Sequence, residues 1–535
     1  MGQNISKSLI PPPLSLRDCF IDGRIDIARY IYYRRRMEEI EEDEMRHMDR
    51  FLKKKRKFDD FLSSGSDLSS NVNSSSNYST SQTATSFSSS KLSYRSVKKH
   101  RVYVRDDDGS LRELLPTDTI WYLLYVKEPP QHERLLKTFR NRFRLPYSSF
   151  VELSDEIYEN EMFSRWRCSD CTGDKPSNIK LLLLGSLRYL GRSWTFDDVH
   201  EANGISREVN RNFFETFIEF GSSCLYKKHV IDVAKNITFS ENEKLFKEAG
   251  FNGCIGSADA THVSMLKCAS WASVNHKGFK LNHPARTYNL TVNHCRQILG
   301  STQGHPSTWN DKTLIHFDPL ISSVHDGNIP DNFEFSLFEK DETGRIIEVT
   351  YYGVWFMVDN GYLSWSCTIP PIKDPKTYQC LRFSEWLESM RKDVECTFGI
   401  MKGRFSILRY GIRLHSVKNV DKVWLTCCAL HNRLLFVDGL NKGWENGVQS
   451  DYYSGNETNF AINRLHRNFS SHEVTHSDVD LTSIDWESYT ENGRRVVNKI
   501  PFHIFRQCLV NHFDIRFKQN SLKWPKRNKT KQTIL

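Results

Sequence analysis

The sequence lacks several features that would place it in a common class. No run of about 18 apolar residues occurs, which excludes a membrane-spanning helix. The first residues contain no apolar segment of the kind found in secretory signals. The 13 cysteines are scattered, and the pair Cys168 and Cys171 has no second pair at the spacing of a zinc site. We therefore expect reduced thiols in an intracellular protein.

An excess of charge of one sign is also lacking over most of the chain. The formal net charge is +9, and residues 497–535 alone carry nine Lys and Arg against one Asp. The rest of the chain is nearly neutral, so any contact of this part with a polyanion must use local basic patches.

Composition divides the chain into five segments. Residues 1–62 form a charged, helical N-terminal arm, and residues 63–115 form a linker that we expect to be disordered, because 14 of the 28 residues at 63–90 are Ser. The other segments are a helical region (120–235), a mixed α/β region (245–437) and a C-terminal tail that is polar and then basic (438–535). We expect the tail, like the N-terminal extension, to be disordered.

A compact basic block, Lys53–Lys57, ends the predicted helix of the N-terminal arm. Such a block binds the acidic grooves of import receptors or nucleic acid, although the end of a solvated helix has the same composition. We predict a nuclear location on this basis. The alternatives are a cytoplasmic location or weak membrane association, since Gly2 and Ser6 fit the pattern for N-myristoylation.

Two short helices joined by a tight turn are predicted within the helical region. Thr195 and Asp198 form a capping box, Gly204 supplies the turn, and Ser206 is the N-cap of a second helix. Three polar residues lie near the start of that helix and off its apolar stripe: Arg207, Asn210 and Arg211. In a helix-turn-helix DNA reader these residues would enter the major groove, whereas in an ordinary helical hairpin they would only be solvated.

Three carboxylates stand out in the α/β region. Asp259 interrupts a β-rich run, Asp359 ends an apolar strand just before a Gly turn, and Glu395 lies on a long amphipathic helix. Three basic residues accompany Glu395 on that helix: Arg391, Lys392 and Lys402. Two acids on strands and one on a helix can converge around two Mg²⁺ ions, as in phosphoryl transfer. The other interpretation is two strand-end turns and a solvated helix face.

The motifs of this region occur in a recognisable order. They are Asp259-Ala260-Thr261-His262-Val263, Arg286-Thr287-Tyr288-Asn289-Leu290, the stretch from Gly304 to Asp311, Val358-Asp359-Asn360-Gly361-Tyr362, the stretch from Arg391 to Gly399, Lys402-Gly403-Arg404-Phe405 and Leu430-His431-Asn432. This ordered set resembles the PIF/Harbinger superfamily of DDE transposases, including their domesticated nuclease relatives. The resemblance implies an α/β fold with an RNase H-like catalytic domain, preceded by a helical helix-turn-helix region.

The resemblance also implies a function. Asp259, Asp359 and Glu395 would be the catalytic and metal-binding residues, with Mg²⁺ (or Mn²⁺) as cofactor, and the reaction would cut a DNA phosphodiester bond and leave a 3′-hydroxyl that can join target DNA. Implied phosphate contacts are Arg391, Lys392, Lys402 and Arg404. The implied partners are terminal inverted repeats, target DNA, a separate Myb/SANT-like protein and a second copy of the chain. The alternative is a domesticated protein that binds DNA without cutting it.

Two departures from the family pattern bear on activity rather than on fold. Ala260 stands where relatives usually carry Gly after the first catalytic Asp, and the insertion between Asp311 and Tyr352 is long. Asp311 is a further family-like acid, to which we assign a supporting or local structural role.

Overall fold

The computed structural model of the chain describes residues 20–21, 24–25, 103–105, 109–169, 176–236, 239–278, 281, 283–328, 333–441 and 481–523. The chain divides into two compact units, Met1–Arg95 and Ser96–Leu535. In the first unit, two short antiparallel strands are described, β1 (Phe20–Ile21) and β2 (Arg24–Ile25). Gly2, the helix predicted for the N-terminal arm, the basic block Lys53–Lys57 and the Ser-rich stretch all lie outside the described residues.

The second unit begins with a small hairpin and a layer of helices. Strands β3 (Tyr103–Arg105) and β4 (Leu111–Glu113) pair antiparallel, so part of the stretch that composition assigns to the linker is ordered. The helices that follow are α1 (Ile120–Tyr122), α2 (Glu133–Phe143), α3 (Tyr147–Glu159), α4 (Ile179–Arg192), α5 (Phe196–Asn203), α6 (Arg207–Phe220) and α7 (Asp232–Asn236).

The helical pair α5–α6 is built as the sequence predicts. The Thr195 side chain accepts from the Asp198 N–H and the Asp198 carboxylate accepts from the Thr195 N–H, which completes the capping box. Gly204 has φ of 68°, a left-handed conformation that favours glycine. Ser206 then caps α6 by accepting from the Val209 N–H.

A mixed sheet forms the centre of the region that follows, as the predicted α/β class requires. Its strands are β5 (Cys254–Ser264), β6 (Ala285–Val292), β7 (Ile298–Ser301), β8 (His305–Pro306), β11 (Trp355–Met357) and β12 (Thr368–Ile369). The main order is β12-β11-β5-β6-β7, with β8 paired to β6. Strands β12, β11 and β5 are parallel, and β5, β6 and β7 are antiparallel.

Seven further helices are described in the same region. They are α8 (Phe239–Glu248), α9 (Ser270–His276), α10 (Asp311–Leu314), α11 (Pro319–His325), α12 (Tyr378–Arg404), α13 (Ser406–Tyr410) and α14 (Val417–Val437). None of the described helices is both long and apolar enough to cross a membrane.

The C-terminal segment 481–523 corrects the prediction of a disordered tail. The insertion hairpin of β9 (Glu334–Lys340) and β10 (Ile346–Tyr352) continues into β14 (Arg494–Val496), parallel to β10, and then β13 (Thr490–Glu491). Helix α15 (Phe502–Lys518) packs beside this second sheet and is buried over most of its length, including His512 and Asp514. The polar and basic composition of the segment did not reveal this buried helix.

Helix α12 joins two hydrophobic cores. Its first half contributes Phe383, Leu387 and Met390 to a core shared with the second sheet and α15. Its second half contributes buried residues, among them Val394 and Met401, to a core shared with the helical layer and α14. The helix that carries Glu395 is thereby fixed from both ends.

Candidate active site

Asp259 and Asp359 lie level with each other on neighbouring segments of the central sheet. Ser257 on β5 pairs with Met357 on the parallel strand β11. Asp259 lies two residues after Ser257, and Asp359 lies two residues after Met357. Asp359 therefore follows the carboxyl end of β11, and Asp259, inside the longer strand β5, lies level with that end, where ligand sites of α/β sheets form. One Asp259 oxygen, Oδ1, accepts from the N–H of Ala260 at 2.8 Å.

Asp359 begins a tight loop that contains Gly361. The Gly361 N–H donates to Asp359 Oδ1 at 2.7 Å. A Cβ at Gly361 would lie 2.9 Å from Asp359 Oδ1 and 2.8 Å from Asp311 Oδ2, so a larger residue would displace one or both carboxylates. The carboxylates of Asp311 and Asp359 thus both approach Gly361.

Glu395 reaches the site from α12 through a shared arginine. Arg391, one turn earlier on the helix, places Nη2 at 2.9 Å from Glu395 Oε1 and Nη1 at 3.6 Å from Asp259 Oδ2. Arg391 is buried, whereas 46% of the Glu395 side chain is exposed. A Cβ at Gly399 would meet no atom within 4 Å, so the space beside Glu395 is open, as its sequence position indicates.

The three carboxylates interact electrostatically. The pKa of Asp259 is raised from 3.8 to about 6, mainly by burial. The Ala260 N–H and the Arg391 guanidinium oppose this rise, and the charges of Asp359 and Glu395 add to it. The residues predicted to act together are therefore brought within interaction range from a strand, a strand-end loop and a helix.

The donor set suits a hard divalent cation. It consists of carboxylate oxygens, which Mg²⁺ prefers, and a cation would offset both the burial of the Asp259 carboxylate and its repulsion by Asp359 and Glu395. Within the described residues, no three His, Cys, Asp or Glu side chains lie close enough together to form a ready-made metal site. Arg391 supplies positive charge between Asp259 and Glu395 in this arrangement.

The predicted phosphate contacts on α12 have different environments. Lys402 donates from Nζ to Thr261 Oγ1 at 2.8 Å and to the His262 carbonyl at 3.2 Å, so it ties α12 to β5. Burial, and secondarily the charge of Arg409, lowers the pKa of Lys402. Lys392 is half-buried on the same helix as Glu395.

Arg404 does not fit the predicted role of phosphate contact. Its side chain is 4% exposed, and Nη1 donates to His431 Nδ1 at 3.3 Å. The second nitrogen of His431, Nε2, donates to the Arg296 carbonyl at 2.9 Å. The Leu-His-Asn motif and Arg404 thus join α12, α14 and the β6–β7 connection, which is a structural role.

The three polar residues of α6 also separate into two groups. Arg207 and Arg211 are exposed, and Arg211 forms an exposed ion pair with Glu215 at 3.4 Å. Asn210 is buried, and its amide bonds to Asn203 and to the Ile205 carbonyl, at 2.7 Å for the latter. A DNA contact at Asn210 is therefore wrong for this conformation, because its polar atoms hold the turn between α5 and α6.

A buried hydrogen-bonded chain behind the site was not predicted. The Tyr362 hydroxyl donates to Asn289 Oδ1 at 2.5 Å, and Asn289 Nδ2 donates to Asp318 Oδ2 at 2.7 Å. Asp318 is fully buried and also caps α11. Asn289 and Tyr362 belong to motifs that the sequence singles out, but Asp318 has no signal beyond an Asp-Pro helix start. These hydrogen bonds fix the loop that carries Asp359, because Tyr362 belongs to that loop.

Residues 232–439 match the family model described as plant transposon protein. The matched segment contains Asp259, Asp359 and Glu395 together with the central sheet and α12. No curated protein matches the chain, and no solved structure matches it. The matched segment is accordingly transposase-related.

Proposed function

We propose that this protein is a DDE-type DNA transposase or nuclease of the PIF/Harbinger kind, with an RNase H-like catalytic domain. The observation that carries the proposal is the electrostatic interaction of Asp259, Asp359 and Glu395 beside the carboxyl end of β11. The match of residues 232–439 to a plant transposon protein family supports the transposase class.

Asp259 and Asp359 would hold Mg²⁺, or Mn²⁺, and Glu395 would complete the shell of a second ion. When bound, the metal would stabilise the charge that develops on the attacking and leaving oxygens of a phosphodiester. The open space beside Gly399 gives a DNA strand access to Glu395.

The chain's own residues would orient this site. Arg391 fixes Glu395 and Asp259 relative to each other, and Lys402 holds the end of β5 against α12. Arg391 and Lys392 are also the α12 cations closest in sequence to Glu395, so they are our candidates for contact with the scissile phosphate. Preorganised cations of this kind stabilise charge that develops in the transition state.

DNA binding would use α5 and α6 as a helix-turn-helix, with Arg207 and Arg211 as the exposed contacts. Inverted repeats and target DNA would be the substrates. A Myb/SANT-like protein and a second copy of the chain would be the protein partners, and the nucleus the site of action.

The proposal predicts that Asp259→Asn lowers Mg²⁺-dependent DNA cutting by at least about 100-fold, because metal ligation contributes several kcal/mol to transition-state stabilisation. The assay is nicking and cleavage of a supercoiled plasmid that carries the inverted repeats flanking the gene. Glu395→Gln should have the same effect. Glu388→Gln, which alters an exposed carboxylate on the same helix, is the matched control and should cut normally. Normal cutting by Asp259→Asn would disprove the assignment.

A second candidate function is DNA binding without cleavage. One observation favours it: Glu395 forms an ion pair with Arg391, which competes with a metal ion for the same carboxylate. An unmutated protein that binds the plasmid yet cuts it with neither Mg²⁺ nor Mn²⁺ would establish this alternative.

A further inference from the structure

Four arginines gather where α2 and α4 end. They are Arg142, Arg144, Arg188 and Arg192, called here the arginine cluster. Arg188 Nη1 donates to the Arg142 carbonyl at 3.0 Å, and Arg144 Nε donates to the Gly191 carbonyl at 3.4 Å. Each helix C-terminus thus receives a guanidinium from the other helix, which favourably opposes the negative end of its dipole.

The arginines of the cluster repel one another. Burial lowers the pKa of Arg144 to about 10, and the next causes are the charges of Arg192 and Arg188. Burial likewise lowers the pKa of Arg188 to about 10, followed by the charges of Arg192 and Arg142. Among the residues that the structure describes, Arg142, Arg188 and Arg192 form no ion pair.

Helix capping explains only part of this arrangement. Arg144 and Arg188 bond to helix ends, and Arg188 also lies 4.1 Å above the Trp194 ring. Arg142 and Arg192 are exposed, and their side chains make no hydrogen bond within the described part of the chain. Arg142 and Arg192 therefore repel the other arginines of the cluster without stabilising the fold by a hydrogen bond. We infer that an external anion supplies the counter-charge.

The positive surface extends from the cluster toward α6. Arg413 Nη1 donates to the Ser193 carbonyl, directly after α4, at 2.8 Å. Both Arg413 and Arg211 lower the pKa of Tyr189, which burial raises, so both lie near the same ring of α4. Arg413 therefore adds a cation beside the end of α4, and Arg211 lies within electrostatic range of the same helix. Positive charge spread along α4 in this way fits a polymer of phosphates better than a single small anion.

We propose that the arginine cluster binds the phosphate backbone of duplex DNA, as a site separate from the exposed arginines of α6. Arg is suited to this role because its planar guanidinium pairs with two phosphate oxygens at once. The inference rests on the proposed function for the identity of the ligand as DNA. Such contacts position a duplex without reading its sequence.

The test measures DNA binding without cleavage. Anisotropy of a fluorescein-labelled duplex is recorded in EDTA over a range of salt concentrations. Arg142→Gln combined with Arg192→Gln should weaken binding roughly tenfold and reduce the slope of log K against log salt by about 2, since two phosphate contacts are lost. Arg142→Lys with Arg192→Lys should keep the slope, because the charges remain.

The control removes the same charge elsewhere. Arg134→Gln with Lys227→Gln alters two exposed cations outside the cluster and should leave the slope unchanged. Equal slopes for the cluster variant and the unmutated protein would overturn the proposal, as would an unmutated protein that does not bind DNA. Unchanged DNA binding with weakened binding of polyglutamate would assign the cluster to an acidic protein and also overturn it. Failure of the unmutated protein to cut DNA would refute catalysis but leave this binding result intact.

Discussion

Arg391 holds two carboxylates from different parts of the fold with one guanidinium. Its ion pairs to Glu395 and Asp259 join α12 to β5, and the side chain is only 11% exposed. A cation in this place lowers the repulsion among the acids whether or not metal is bound. At the residue scale, the Arg391 guanidinium and the proposed divalent cation therefore neutralise the same carboxylates.

That balance predicts the behaviour of Arg391→Gln. Without divalent metal, the variant should lose about 1–3 kcal/mol of unfolding free energy, because Asp259 loses its nearest cation while the exposed side of Glu395 is screened by solvent. Addition of Mg²⁺ should then raise Tm more in the variant than in the unmutated protein. Thermal unfolding with EDTA and with Mg²⁺ measures both effects. Arg345→Gln, at an exposed turn, is the control, and an equal Mg²⁺ response in all three proteins would contradict the prediction.

The α5–α6 pair shows what local sequence can predict and where it stops. Capping side chains act within one turn of the chain, so Thr195, Asp198 and Ser206 marked both helix starts correctly. Asn210 was misassigned because its partner, Asn203, lies on the other helix, and burial of the pair depends on how the two helices pack. The partners of Arg404 and Asp318, His431 and Asn289, are still farther away in sequence.

Helix α15 gives a second case at the same scale. Composition predicts a basic tail here, because the partners of this segment are distant in sequence: β14, which precedes α15, pairs with β10 across more than a hundred residues and leaves no local pattern. The three carboxylates were found only because each lies in a short motif whose order along the chain is distinctive.

His512 makes the docking of α15 sensitive to acid. Its Nδ1 accepts from the Phe338 N–H of β9 at 2.8 Å. Burial, and then the charges of Arg516 and Lys247, lowers the pKa of His512 from 6.5 to about 3. The folded state therefore resists protonation, while the unfolded state takes up a proton below pH 6.5. The contribution of neutral His512 to the free energy of unfolding is complete above pH 6.5. As the pH falls toward 3, this contribution decreases by up to about 1.4 kcal/mol per pH unit.

Urea unfolding at a series of pH values between 7.5 and 5 tests this linkage. His512→Gln should be less stable than the unmutated protein at pH 7.5, but should lose stability less steeply on acidification, by about one proton. His503→Gln, on the exposed side of the same helix, should leave the steepness unchanged. Parallel pH profiles for the His512 variant and the unmutated protein would show that α15 does not dock through this hydrogen bond.

At the scale of the whole unit Ser96–Leu535, α12 connects the candidate site to the C-terminal segment. Phe513 of α15 stacks on Phe251 with centroids 5.5 Å apart, and its ring meets Phe383 and Trp386 of α12 edge-on at 5.8 and 5.4 Å. Glu395 lies farther along that helix, just past the change from one core to the other. The segment 481–523 is therefore part of the support for the site.

Phe513→Ala should accordingly destabilise the unit by about 3–5 kcal/mol, because it opens a cavity in a fully buried aromatic cluster. Urea unfolding followed by tryptophan fluorescence measures the loss, and the signal should come partly from Trp386. Phe436→Ala, which removes a ring that is 41% exposed on α14, should cost far less. If the two variants were equally stable, residues 481–523 would not belong to the core that positions α12, and the integrity of the carboxylate site would have to depend on the central sheet and α14 alone.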